Sequence, residues 1–208
     1  MYDQSTTIVA FLDAAAAKQP APGGGSVTAL VGALAATMGE MTVNYSVGKK
    51  GLEQHQDELR AALAELNRAR GVMLTLMAED QIAYQSLTAA RKLPDGSPDR
   101  DKDVATALMA SIRVPEAIAA TGVAILEVCT RVVDHVNRYL LSDLAVCADL
   151  AMATTRCALY NVRVNLPDLT DRKLRREAEE SIEKLLSHAK THIQRVGPRI
   201  WERQVDGK

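Results

Sequence analysis

Among the 26 acidic side chains of this chain, two stand beside apolar segments. Asp80 lies in the stretch MAEDQIAYQSL, and Asp143 follows Ser142 in the stretch LLSDLAVCADLA. An unpaired carboxylate among apolar residues costs free energy, so each Asp needs either a structural partner or a function. A Ser or Asp just before an apolar helical stretch is typical of an N-cap, which is the structural alternative for Ser142 and Asp143.

A loop with almost no side chains precedes the most apolar segment of the chain, QPAPGGGSVTALVGALAATMGE at residues 19–40. One interpretation is a flexible turn formed by Gly23, Gly24 and Gly25. The other is a ligand site, because backbone N–H groups without nearby Cβ atoms can approach a ligand closely at the start of a helix. Ser26 either caps that helix or offers its hydroxyl to the ligand.

Two basic residues and two amides are the other candidates for binding. Lys49 and Lys50, in VGKKG, either stabilise the end of the preceding helix or dock an anionic ligand tail. A nucleotide-binding P-loop is excluded, because Gly25 is not followed by Lys and a hydroxyl residue. Asn161 and Asn165 are four residues apart, so they share one face of a predicted helix.

Histidine and cysteine give no metal signature. His188 and His192 are four residues apart, but without the Glu of a metalloprotease pattern this spacing favours solvated side chains over a zinc site. Cys129, Cys147 and Cys157 are too scattered for a disulfide framework or a zinc cluster. We interpret the cysteines as small apolar core residues, and the sequence predicts no metal site.

The composition is that of one globular domain, which we place at residues 1–208, with 47% hydrophobic and 25% charged residues. A net charge of −1 indicates neither nucleic acid nor an acidic membrane surface as partner. The first residues lack a basic and apolar leader, and the apolar run at 27–38 is too short to cross a bilayer. We therefore expect a cytoplasmic protein.

Hydrophobic periodicity predicts an all-α fold, a single-domain bundle of long, kinked antiparallel helices. Thr6 is expected to cap a short first helix whose apolar positions are Ile8, Val9, Leu12 and Ala16. The later helices are predicted near residues 26–47, 52–90, 103–135 with a kink at Pro115, 142–164 and 170–196. Ala-rich faces bury little area per residue, so we expect a homodimer, with helix 26–47 as the first candidate for the subunit contact.

The motifs together resemble the formiminotransferase-cyclodeaminase family, meaning its cyclodeaminase and stand-alone methenyltetrahydrofolate cyclohydrolase domains. That family has a Pro-x-Pro-Gly-Gly-Gly segment, an Ala-rich helix, and an Asn followed shortly by Gly-Lys-Lys. The chain supplies these features in order, with Pro20, Pro22, Gly23 to Gly25, Asn44, and Gly48 to Lys50. Further matches are Asp80 with Tyr84, Val114-Pro115, Asn137 with Ser142-Asp143, and Asn161-Val162 with Asn165.

The resemblance implies a tetrahydrofolate substrate and no metal or organic cofactor. It implies that Asp143 is the general base or supports the substrate cation, with Asp80 second, and that Lys49 faces a developing negative charge. Substrate contacts are implied for the backbone or side chains of Pro22, Gly23, Gly24, Gly25, Ser26, Asn44, Lys50, Asn137, Ser142, Asn161 and Asn165.

The implied reaction is hydrolysis of 5,10-methenyltetrahydrofolate to 10-formyltetrahydrofolate. One alternative is the cyclodeaminase step, which closes 5-formiminotetrahydrofolate to the methenyl form and releases ammonia. The other is a folate-binding or structural dimer without catalysis. This last alternative rests on departures from the family pattern, at Gly51-Leu52, Glu116, Tyr139 and Leu144-Ala145.

Overall fold

The computed structural model describes residues 1–206, and the all-α prediction is confirmed, with no strand among them. Short 3₁₀ turns at Glu53–His55, Arg138–Leu140 and Leu166–Asp168 join some of the helices. The six α-helices are α1 Ile8–Ala16, α2 Gly24–Asn44, α3 Gln56–Arg91, α4 Arg100–Val132, α5 Leu141–Asn165 and α6 Arg172–Asp206.

Four consecutive helices, α2 to α5, form a closed ring in which each packs along the next and α5 returns to α2. Neighbouring helices are antiparallel: Gly32 of α2 faces Met73 of α3, whereas Gly39, further along α2, faces the earlier Leu66. Helix α6 lies on the outside against α4 and α5. Bundles of this kind place alternate helix ends together, so residues from four helices meet at each end.

Helix α2 is the small-residue helix of the core. Its glycines allow close packing: a Cβ at Gly32 would lie 2.6 Å from the Met73 Cε atom, so the Met73 side chain would have to move. By length and composition its 21 residues could span a bilayer. The prediction that this segment is too short considered only residues 27–38, whereas the helix is longer. Just over half of the apolar window, 56%, is buried against other helices, as in the core helix of a bundle.

Helices α4 and α5 bring two cysteines together that stand far apart in sequence. The Cys129 and Cys147 sulfurs are 3.4 Å apart, and both side chains are buried. The thiol contact with Cys129, together with burial, raises the pKa of Cys147. The interpretation as core residues therefore holds for this pair, whereas Cys157 is exposed.

The first and last helices differ from the sequence prediction. Thr7, not Thr6, caps α1 by accepting a hydrogen bond from the Ala10 amide. The buried side chains of α1 are Phe11 and Ala14, while the apolar residues Ile8, Val9 and Leu12 are exposed. The packing of Phe11 against Tyr2 sets this orientation.

Helix α6 continues past the predicted end at residue 196, through Pro198, to Asp206. Val196 and Ile200 are buried one turn apart. Their burial holds the helix on the bundle despite the hydrogen bond that proline removes.

Because α4 packs closely on α5, replacing a glycine by alanine should lower the free energy of unfolding at that contact and raise it at an open helix position. A Cβ at Gly122 would lie 2.5 Å from Thr155 Oγ1 and 3.1 Å from the Ala151 carbonyl oxygen, whereas one at Gly71 in α3 meets nothing within 4 Å. We expect Gly122→Ala to lower the free energy of unfolding by about 1–3 kcal/mol. Gly71→Ala, the matched control, should raise it by about 0.5–1 kcal/mol. Urea denaturation measures both, and equal effects would contradict the packing described.

Candidate functional site

A cleft of about 400 Å³ opens at the end of the bundle where α2 begins. This volume lies within the range of small-molecule binding sites. Its lining comes from the loop before α2 and from α2, α3, α4 and α5. The predicted site residues in it are Gly23, Gly24, Gly25, Asp80, Asn161 and Asn165. Pro22 is buried at the base of the loop.

Two of the three loop glycines, Gly24 and Gly25, lie close against cleft side chains. A Cβ at Gly25 would lie 2.0 Å from Asp80 Oδ1 and 2.5 Å from its carboxyl carbon, distances that no side chain can occupy. A Cβ at Gly24 would lie 3.3 Å from Asn161 Oδ1. The loop lacks side chains first of all because polar groups of α3 and α5 occupy that space.

Asp80 is held at the start of α2 by Ser26. The Ser26 hydroxyl donates to Asp80 Oδ2 at 2.8 Å, and the Ser26 backbone N–H also bonds the carboxyl group. Ser26 is therefore not the N-cap of α2; Gly23 is, and it makes no side-chain cap hydrogen bond. The carboxylate from α3 supplies the negative charge that the helix start favours.

Burial raises the pKa of Asp80 above its usual range, and the two hydrogen bonds from Ser26 partly oppose that rise. A carboxyl group whose pKa is raised toward neutrality exchanges protons more readily at physiological pH than an exposed one. Of the described residues that line the cleft, Asp80 is the one acidic side chain.

The two asparagines of α5 are fixed by their amide groups. Asn165 Nδ2 donates to the Ser111 and Asn161 carbonyl oxygens, both at 3.0 Å, and Asn161 Nδ2 donates to the Cys157 carbonyl oxygen at 3.0 Å. With both Nδ2 groups engaged in this way, each side chain presents its carbonyl oxygen as the acceptor for other donors.

Sequence reasoning missed several side chains that line the cleft, among them Arg91 of α3 and Ser111 of α4, and gave Tyr84 no role. Helical spacing from Asp80 was the available signal, because positions four and eleven residues later share its face of α3. Arg91 forms an ion pair with Asp168 at the rim, and Tyr84 is about half exposed. The cleft therefore has an acidic floor, and the Arg91–Asp168 ion pair lies at its rim.

Lys49 and Asn137 lie at the opposite end of the bundle. The Lys49 ammonium donates to Asn137 Oδ1 and lies 5.3 Å from the centre of the Tyr139 ring. The Asn137 backbone N–H donates to the Ser46 hydroxyl at 2.8 Å, which ties the two connecting segments together. Helix α2 ends at Asn44, so Lys49 belongs to a turn and does not cap the helix.

The other predicted residues of this end are more open. Asn44, Lys50 and Ser142 are exposed, and Asp143 is half-buried in the first turn of α5. The N-cap of α5 is Leu140, so the N-cap expected of Ser142 or Asp143 is wrong. Asp143 instead stands where the positive end of the helix dipole favours a carboxylate.

The residues that depart from the family pattern have structural roles of their own outside the cleft. Gly51 has a φ of +91°, a conformation that favours glycine. Glu116 forms an ion pair with Arg113 at 2.6 Å. Leu144 is buried in the core, and Tyr139 accepts a hydrogen bond from Arg138 at 2.9 Å. None of these four residues lines the cleft.

The predicted site residues therefore form two groups. The cleft group is Pro22 to Ser26 with Asp80, Asn161 and Asn165; the Lys49 group is Asn44, Lys49, Lys50, Asn137, Ser142 and Asp143. Helix α2 has 21 residues and connects the groups, so about 30 Å separates them within one chain. A folate with one glutamate is shorter than that separation.

Comparison with known proteins agrees with the fold and the motifs. Residues 7–184 match the family described as Formiminotransferase-cyclodeaminase. The formiminotetrahydrofolate cyclodeaminase of Thermotoga maritima, a solved structure, superposes with a TM-score of 0.88 over 95% of this chain and 96% of its own, at 26% identity.

Two curated relatives have different lengths and names. The methenyltetrahydrofolate cyclohydrolase of Methylorubrum extorquens is 29% identical over 91% of this chain and 93% of its own length. The formimidoyltransferase-cyclodeaminase of Gallus gallus is 32% identical over 87% of this chain, which spans only 34% of that protein. The family match and the shared fold together confirm the resemblance: this chain belongs to the formiminotransferase-cyclodeaminase family.

Proposed function

We propose that the protein hydrolyses 5,10-methenyltetrahydrofolate to 10-formyltetrahydrofolate in one-carbon metabolism. The observation that carries this proposal is the Asp80 carboxyl group, which has a raised pKa and faces glycine backbone inside a cleft. The cyclohydrolase of Methylorubrum extorquens, which aligns along nearly its whole length, supports the reaction.

The reaction requires a base and electrostatic support at one carbon. The substrate carries a positive charge over N5, N10 and the carbon between them, which the Asp80 carboxylate stabilises. Asp80 accepts a proton from water as the water oxygen bonds to that carbon. The carbon–N5 bond then breaks as the added hydroxyl group loses its proton and becomes the formyl oxygen; N5 keeps the electron pair and takes the proton held by Asp80, and the formyl group stays on N10. One proton is released overall, and the step needs no metal or organic cofactor.

The rest of the cleft suits the other parts of a folate. The carbonyl oxygens of Asn161 and Asn165 can accept hydrogen bonds from the N–H groups of the pterin. The flat ring system lies against the Gly23 to Gly25 backbone, which no Cβ shields. At the rim, Arg91 offers a guanidinium for a carboxylate of the glutamate tail.

The cyclodeaminase reaction is the second candidate. It has N10 attack the formimino carbon of 5-formiminotetrahydrofolate, and the departing ammonia takes up a proton. The raised pKa of Asp80 favours this reaction too, because a neutral carboxyl group can donate that proton. The solved structure from Thermotoga maritima carries this name and has the same fold. A folate-binding dimer without catalysis is the third candidate.

We infer that the protein is a homodimer joined along α2. The outer face of this helix exposes Val27 at 39%, Leu34 at 51% and Tyr45 at 63%, in an otherwise well-buried helix. Half-buried side chains complete an apolar strip at three- and four-residue spacing, namely Val31, Met38 and Met41. Such a strip is typical of helices that pair.

An antiparallel pairing of α2 with its copy explains the two groups of site residues. A two-fold axis near the middle of the helix places the end of one α2 beside the start of the other. The Lys49 group of each subunit then approaches the cleft of its partner, and Lys49 and Asp143 join Asp80 around one substrate. The complete site in this proposal is shared by two chains.

The first prediction concerns Asp80. We expect Asp80→Asn to lower kcat by about 10²- to 10⁴-fold, because it removes the base and the charge opposite the substrate cation. The Asn oxygen still accepts from Ser26, so the fold is retained. The assay follows loss of the methenyl absorbance above the buffer-catalysed rate, with Glu79→Gln, an exposed neighbour, as control. Full activity of Asp80→Asn would refute the assignment.

The second prediction concerns pH. The Ser26 hydroxyl favours the carboxylate form of Asp80, so Ser26→Ala should raise the pKa of Asp80 further. Since the carboxylate is the active form, the acid limb of the kcat/KM profile should move to higher pH. Thr75→Ala, on the exposed face of α3, should leave the profile unchanged. If the neutral carboxyl group were the active form, the alkaline limb rather than the acid limb would move to higher pH, and that result would contradict the assignment of Asp80 as the base.

The third prediction concerns the shared site. Asp80→Asn and Asp143→Asn homodimers should each be nearly inactive. A heterodimer of the two variants, co-expressed with two tags and purified through both, has one intact site and should recover about half of the wild-type rate. An inactive heterodimer would place Asp80 and Asp143 in the same chain's site, and a fully active Asp143→Asn would remove it from the reaction.

A further inference from the structure

Three metal-ligating side chains meet at the end of the bundle opposite the cleft. His55 closes the 3₁₀ turn before α3, and Glu58 stands in the first turn of α3. His135 lies in the segment after α4. The two histidines are eighty positions apart, so no ligand spacing in the sequence indicates that they meet.

The geometry of this cluster suits a small cation. The two imidazole rings are stacked, with centres 3.7 Å apart and planes inclined by 13°. His135 Nε2 lies 3.9 Å from Glu58 Oε2, and one ligand atom from each of the three residues falls within 4.8 Å of the others. All three residues are half-buried, so they are partly shielded from water and still able to adjust.

We propose that His55, Glu58 and His135 bind one divalent transition-metal ion of the zinc class. Imidazole nitrogen and carboxylate oxygen are ligands that zinc prefers, with bonds of about 2.0–2.2 Å. Tetrahedral ligands at those bond lengths lie about 3.3 Å apart, so binding requires the rings to turn out of the stack by about an ångström. Three protein ligands leave a fourth position for water or another donor.

A bound ion joins two segments that hold the Lys49 group. His55 follows the turn that carries Lys49, and His135 stands two residues before Asn137. The connection between the segments already includes the Lys49–Asn137 and Ser46–Asn137 hydrogen bonds. A ligand that binds only the folded arrangement stabilises it, so the metal acts as a clamp on this end of the protein.

The test uses zinc chloride and full-length protein freed of metal with a chelator. Isothermal titration calorimetry should give a stoichiometry of one ion per chain. Thermal denaturation should show a Tm that rises with added zinc. We expect His55→Ala and His135→Ala to weaken zinc binding by at least about tenfold, and Glu58→Gln to weaken it less. His188→Ala is the matched control, because His188 and His192 form the other closely spaced pair and His192 already bonds Thr130.

Each outcome either supports or overturns the proposed metal site. Unchanged affinity in both His55→Ala and His135→Ala, or loss of binding in His188→Ala alone, would overturn the proposal, as would a wild-type protein that shows no saturable binding. If a histidine variant fails to fold, Glu58→Gln decides, and an affinity equal to that of the wild type would overturn the assigned ligand set. Cobalt(II) provides a second readout, because its visible spectrum reports the nitrogen and oxygen ligands directly.

Discussion

The contact between Gly25 and Asp80 is the constraint on which the cleft depends. The Asp80 carboxyl group occupies the volume that any side chain at position 25 would need, so α2 and α3 meet at the distance that this contact allows. The same approach lets Ser26 bond the carboxylate. It also places the partial positive charge of the α2 start against a group that burial makes more basic. The residue that binds Ser26 at the start of α2 is therefore also the one that we propose as the base.

The sequence predicts the helices well because their signal is local. Apolar residues at helical spacing, and prolines and glycines between them, mark six segments within a few residues of the observed bounds, except at the end of α6, which lies ten residues beyond the predicted one. The errors occur where tertiary contacts override the local pattern. In α1, Phe11 rather than Ile8 faces the core of the bundle. In α6, the buried side chains of Val196 and Ile200 keep the helix intact through Pro198.

The location of the site residues could be predicted only in part. Motifs give residue types in chain order, and they group Gly25, Asp80 and Asn161 correctly with the cleft only after the helices are known to be antiparallel. They do not show that Lys49 and Asp143 lie a whole helix away, because separation in space depends on helix length and direction. Nor do they give Arg91, whose place follows only from the helical face that it shares with Asp80.

The order of the chain has a consequence for synthesis. Gly24 and Asn161, which contact each other across the cleft, are separated by about two thirds of the chain. A nascent polypeptide that ends before α5 has α2 with one long flank uncovered, and its cleft lacks the wall formed by Asn161, Val164 and Asn165. The cleft thus forms late, when the last helix of the ring closes against the first, and the small-residue surface of α2 stays open until then.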